Sequence, residues 1–161
     1  MDHQTVRVLQ DELRRDLIPL ATVPVAVVGF LIALIAPDDP PPSLFTLGLM
    51  LMVIAIVVLW LRERSPDGAA WTLVLGSLAI TLMAWLWLTS ASGGFLFLIP
   101  VIMAAMMLGS VSTMLVGAIA TMLLLGCASQ VGLSRTDVNV VTAVGAQWVA
   151  VYLLVISQRS Q

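Results

Sequence analysis

Apolar stretches long enough for six helical spans, together free of Asp, Glu, Lys, Arg and His, occupy most of this 161-residue chain. Their lengths decide what the chain can become, because a hydrocarbon core of about 30 Å takes roughly 20 helical residues at 1.5 Å each. Leu17–Ala36 meets that requirement outright, and Leu44–Leu61, Trp71–Leu88 and Asn139–Ser157 fall in the accepted range. Phe95–Cys127 is too long for one crossing, since its roughly 33 residues would reach about 50 Å. The chain must fold back there, and Leu108-Gly109-Ser110 is the natural turn. The expectation is an all-α, polytopic membrane bundle of six transmembrane helices, at about 17–36, 44–61, 71–88, 95–108, 111–127 and 139–157, the fourth and fifth forming a short hairpin. Residues 1–16 then form a juxtamembrane segment, 17–157 the membrane domain and 158–161 a tail.

Composition excludes the alternatives. Hydrophobic residues make up 60% and charged residues 10% of the chain, with a mean hydropathy of +1.08, whereas a soluble domain carries about 25% charged residues. A soluble helical bundle would show polar residues at every turn, but the outward faces here would be Leu, Val, Ile and Met. A membrane β-barrel needs strands of about ten residues alternating apolar and polar, a pattern this chain does not have.

Orientation rests on the arginines, because the chain has no lysine. With six spans, Arg7, Arg14, Arg15, Arg62, Arg64 and Arg159 share one side and only Arg135 lies on the other. The positive-inside rule then places both termini in the cytoplasm, and a missing hairpin is expected to spoil the asymmetry. The segment Pro37-Asp38-Asp39-Pro40-Pro41-Pro42 becomes an outside loop stiffened by its prolines. A retained first helix is expected at the N-terminus in place of a secretory signal, since its polar region is long and acidic, its apolar region is extended and no small-x-small site ends it. Val6, Leu9, Leu13 and Leu17 instead draw a narrow apolar stripe on a charged helix lying at the cytoplasmic interface.

Little in the spans can carry chemistry. His3 is the only histidine and sits near a terminus without a carboxylate or cysteine at ligand spacing. Cys127 is the only cysteine, so no disulfide forms within one chain, and its apolar setting reads as a small hydrophobe. Without a second histidine or a carboxylate at depth, no haem, chlorophyll magnesium or di-metal centre has side-chain ligands, and no ionisable relay crosses the core. The expectation is a protein that is not an enzyme, holds no metal or cofactor and binds no nucleic acid.

Residues that organise helix packing are easier to find. Gln147 is the most polar side chain clearly inside a span, and in hydrocarbon its amide needs a partner on another helix, with Thr81 and Thr121 the candidates. Small residues align at Thr113, Gly117 and Thr121, at Thr142, Ala146 and Ala150, and at Ala26, Gly29, Ala33 and Ala36. Such stripes let apolar helices approach closely. Pro24 and Pro100 interrupt the first and fourth spans, each withholding one backbone donor and kinking its helix. Met103, Met106, Met107, Met114 and Met122 gather around the hairpin, as core filling or as the lining of a lipophilic pocket. Trp60, Trp71, Trp85, Trp87, Trp148 and Tyr152 read as an interfacial belt.

A family resemblance rests on the hairpin. Gly93-Gly94, the apolar run Phe95–Gly109 through Pro100, and an alanine-rich, threonine-containing helix after it resemble the second half of the six-helix membrane modules that precede the cytoplasmic parts of many bacterial sensor histidine kinases. The amphipathic lead, the first two spans, the inside loop at Arg62–Arg64 and the sixth helix are similar to that arrangement too. Two departures stand out. Those modules often carry a basic residue after the hairpin glycine, where this chain has Ser110. Nor does a dimerisation helix, a phospho-acceptor histidine or a nucleotide-binding domain follow within the 161 residues, so the resemblance carries over no kinase activity and no catalytic residue.

The resemblance implies a sensing or regulatory module in a bacterial inner membrane, acting with lipids, a protein partner or a second copy of itself. The other reading is a structural subunit of a larger membrane complex, contacting lipids, quinones or pigments. A transporter is the weakest class, since no inverted repeat and no charged substrate site is visible.

Overall fold

The computed structural model describes residues 3–35, 44–88, 91–133 and 137–159, and these are helical apart from short connections. The expected outside loop at Pro37–Pro42 and Arg135 lie outside the described residues. Among the described residues six α-helices follow one another: α1 His3–Ile35, α2 Leu44–Leu61, α3 Pro66–Leu88, α4 Leu98–Met107, α5 Ser110–Cys127 and α6 Val138–Arg159. Segments of 3-10 helix precede α4 at Ala91–Phe97 and follow α5 at Ala128–Val131.

Among the described residues, five helices are long and apolar enough to cross a membrane, at Asp16–Ile35, Leu44–Leu61, Pro66–Trp87, Ser110–Cys127 and Val138–Gln158. Their outward faces carry Val27, Phe30, Ile56, Leu115, Val149 and Leu153, all exposed. A monomer in water does not display apolar surface of that extent, so the fold is that of a multi-pass helical membrane protein.

The helix ends follow local chemistry more than hydropathy. α1 runs unbroken for 33 residues through the expected boundary between lead and span, because Arg14, Arg15 and Asp16 change polarity without disfavouring a helix. The lead is therefore the first turns of the long helix. Thr22 donates its hydroxyl to Ile18 O at 2.6 Å between the two internal prolines, Pro19 and Pro24. α3 begins five residues before the apolar run at Trp71. Ser65 Oγ accepts from Gly68 N at 3.2 Å, Pro66 occupies the first helical position and Asp67 lies in the first turn. That is a complete N-terminal signal.

Two compact units divide the chain, Met1–Leu73 and Val74–Gln161. In the first, α1 and α2 pack where two glycines meet. A Cβ on Gly29 would stand 2.8 Å from Gly48 O, and one on Gly48 would stand 2.6 Å from Gly29 O and 2.7 Å from Ala33 N. Backbone meets backbone, the contact that small residues permit in lipid.

In the second unit, α4 and α5 are joined by Leu108 and Gly109. Gly109 has φ 88° and ψ 176°, a region open in practice only to glycine, and its carbonyl accepts from both Thr113 N at 3.0 Å and Thr113 Oγ1 at 2.8 Å. Pro100 stands just after the change from 3-10 to α-helix, not in the middle of an α-helix. It lies buried in the first turn of α4, where a missing N–H is tolerated, and the residues before it wind as 3-10 helix. Three seams close the unit. α5 buries Thr113, Val116, Gly117, Ala120 and Leu124, and α6 buries Val140, Ala143, Gln147, Val151 and Val155. α4 contributes Val101, Ala104, Ala105 and Met107. The spacings of three and four residues are those of a single face turned inward.

Candidate functional site

Among the described residues, the most strongly polar side chain sunk in this core is Gln147, 1% exposed at the middle of the inward face of α6. Its amide donates across to α5, to Gly117 O at 2.6 Å and to Thr121 Oγ1 at 3.2 Å. Thr121 in turn donates its hydroxyl to Gly117 O at 2.9 Å. The absence of a side chain on Gly117 lets α6 come this close, since a Cβ there would meet Val151 Cγ2 at 2.9 Å. Thr113, Gly117 and Thr121 thus lie on the face of α5 that meets α6, with Gly117 and Thr121 bonded to one amide.

A second glutamine completes the pattern. Gln158 follows Gln147 by 11 residues, about three helical turns, and so projects from the same face of α6. It lies within α6 and is half-buried, although the sequence reading assigned it to the tail. Its Nε2 donates to Ala105 O near the end of α4. Leu108 N takes the preceding carbonyl, Ala104 O, at 2.8 Å. Ala105 O has no helical donor to come, because the helix stops at Met107. Gln158 therefore caps α4 from another helix, and the two amides of α6 fix both arms of the α4–α5 hairpin.

Aromatic packing closes the other side. Trp85 of α3 is 1% exposed and meets Phe97 edge to face, with ring centroids 5.7 Å apart and planes at 88°. It belongs to the core and not to the interfacial belt. The belt reading suits Trp60, Trp148 and Tyr152, which are exposed, and Arg64 lies over the Trp60 ring at 4.3 Å.

The remaining expectations separate. Thr142 is exposed and spends its hydroxyl on Val138 O at 2.6 Å, so the stripe Thr142–Ala146–Ala150 is not the buried face of α6; Ala143, Gln147 and Val151 are. The helix turns its bulkier residues inward because the glycine and alanines of α5 already make room for them. Pro24 is exposed on α1. The methionines do not act together: Met107 is buried and Met103 half-buried, while Met106, Met114 and Met122 point outward. Cys127 is a free, partly covered thiol, and among the described residues no three of His, Cys, Asp and Glu gather to hold a metal. Sequence reasoning missed Gln158 and Gly48. The first was legible from its spacing to Gln147, the second from its place inside an apolar run.

No family model matches the sequence, and neither a curated protein nor a solved structure is significantly similar to it.

Proposed function

We propose that this chain is a non-catalytic sensing or regulatory module of a bacterial inner membrane, working through helix packing with a protein partner or a second copy. One observation supports the reading above others: α6 is tied by Gln147 to α5 and by Gln158 to the end of α4. A displacement of the hairpin by lipid, ligand or partner is thereby passed to the last turn of α6, and a sensing module needs such a connection to its exit helix. The resemblance of Gly93–Gly109 to sensor-kinase membrane modules points the same way. In this reading the hairpin crosses the bilayer, six spans result and both termini are cytoplasmic.

The reading as a structural subunit of a larger complex draws on the exposed apolar residues of α1 and α2, among them Val27, Phe30, Leu34, Val53 and Ile56. Photo-crosslinking residues at the exposed positions Val149, Leu153 and Ile156, introduced in native membranes, separate the two. Adducts with a signalling protein, changed in yield by Gln158→Leu, support the sensing role. Adducts with subunits of one stoichiometric assembly, indifferent to Gln158→Leu, transfer the chain to the second class. Adducts with lipid alone reject both partner-based readings.

A further inference from the structure

Two buried polar atoms of the unit Val74–Gln161 have no partner in the packing described above, and they are complementary. Trp85 Nε1 is a donor, and Gln147 Oε1 is an acceptor. Each belongs to a side chain 1% exposed. The amide of Gln147 cannot be turned to relieve its oxygen, because Nε2 faces Gly117 O at 2.6 Å and an oxygen there would repel it. A third unpartnered atom, Gln158 Oε1, lies three turns away on a half-buried side chain.

The first two share one layer of the unit. A Cβ on Gly94 would touch Ala143 Cβ at 3.3 Å, which sets the 3-10 segment against α6. From Gly94 to Phe97 is three 3-10 residues, a rise of about 6 Å. From Ala143 to Gln147 is four α-helical residues, also about 6 Å. Both segments proceed in the same direction, since Ala105 further along α4 meets Gln158 further along α6. Phe97 therefore lies level with Gln147, and Trp85 holds its edge-to-face contact with Phe97.

We propose that this layer binds one hydroxyl group, which accepts from Trp85 Nε1 and donates to Gln147 Oε1. The two atoms define the chemistry of the guest. A ketone or quinone carbonyl could accept from the indole but would leave Gln147 Oε1 bare. An ammonium could donate but could not accept, and the spans around it supply no countercharge. Only a group that both gives and takes a hydrogen bond satisfies both atoms. Its source is either a trapped water or the hydroxyl of a lipophilic alcohol from the bilayer. The site stands independently of any signalling role.

Magnetic resonance of perdeuterated protein, back-exchanged at N–H, labelled with ¹⁵N at its indoles and held in bilayers of protonated native lipid, tests this. The Trp85 signal is assigned by Trp85→Phe or, if that variant does not fold, through the backbone. The expected result is a hydrogen-bonded Trp85 Hε1 in contact with a third proton that belongs to no residue, and an upfield shift of Hε1 in Gln147→Met. Contact with water protons alone marks a buried water, whereas contact with an exchangeable hydroxyl proton together with carbon-bound protons marks an alcohol from the membrane. Either supports the site. A Trp85 Hε1 at the position of a free indole overturns it, as does a bond made directly to Gln147 with no third proton. If Gln147→Met does not fold, the wild-type spectrum decides alone.

Discussion

Gln147 joins two helices through a carbonyl that already serves its own helix, and this determines how much its loss should cost. Gln147→Leu removes the donations to Gly117 O and Thr121 Oγ1, yet both α5 groups keep each other, since Thr121 still donates to Gly117 O. The expected destabilisation is about 0.6 to 2 kcal/mol, the scale of interhelical hydrogen bonds in membranes. Thr121→Ala should cost less, because the shorter bond from Gln147 to Gly117 O survives it. Unfolding of the two variants in detergent orders them, and a Thr121→Ala loss exceeding that of Gln147→Leu would contradict the assignment. Gly109 offers a sharper case. Its φ of 88° with ψ of 176° suits no L side chain, and nothing lies within 4 Å of a Cβ built there. Gly109→Ala should therefore cost about 1 to 3 kcal/mol from backbone strain alone, a loss that trimming the neighbouring side chains cannot rescue. Legibility at this scale was uneven. Gln147 announced itself as an amide amid hydrocarbon. Its main partner did not, because a backbone carbonyl engaged in its own helix leaves no mark in a sequence. Trp85 was misread because a tryptophan near a span end suits an interface as well as a core, and only its contact with Phe97 separates the two.

Among elements, the glycines rank the helix contacts by how little they can yield. At Gly48 an added methyl would meet the backbone of α1 at 2.6 and 2.7 Å, and neither atom can move without the whole helix. At Gly117 it would meet only the tip of Val151 at 2.9 Å, and at Gly126 nothing within 4 Å. Gly48→Ala should cost about 3 kcal/mol or more, at the upper end of overpacking losses. Gly117→Ala should cost less and be relieved by Val151→Ala. Gly126→Ala should be neutral or add about 0.5 to 1 kcal/mol, as alanine does within helices. Denaturant titration of the three variants gives the order, and equal losses at Gly48 and Gly126 would reject the α1–α2 crossing. Helix positions were readable from hydropathy, but the ends were not. Ser65-Pro66-Asp67 starts α3 before its apolar run begins, and Ala91–Phe97 winds as 3-10 helix ahead of Pro100. Capping and proline chemistry set those ends, and counting apolar residues is blind to both.

For the whole molecule, the number of crossings turns on the α4 segment, and the arginines do not decide it. With six crossings Arg135 stands alone outside; without the fourth, Arg135 moves inside and Arg159 outside, and the bias is still six against one. The asymmetry that the sequence reading took as evidence for the hairpin is therefore neutral. Length is more informative. The 17 residues Ala91–Met107 comprise seven of 3-10 and ten of α-helix, a reach of about 29 Å at 2.0 and 1.5 Å per residue. That nearly equals the hydrocarbon thickness, whereas the 14 residues Gly94–Met107 counted as plain α-helix would reach only about 21 Å. Register adds a second argument: the segment lies beside α6 from Ala143 to Gln158, 15 residues or about 22 Å of its length. A re-entrant loop would leave α6 well before that. The expected outcome is six crossings. In a Cys127→Ala background, single cysteines at Glu63 and Gln161 should react with reagent only from the cytoplasmic side, and cysteines at Asp38 and Arg135 only from outside. Five crossings predict the reverse for Gln161 and Arg135 while leaving Glu63 and Asp38 unchanged, so those two positions alone decide whether the hairpin spans.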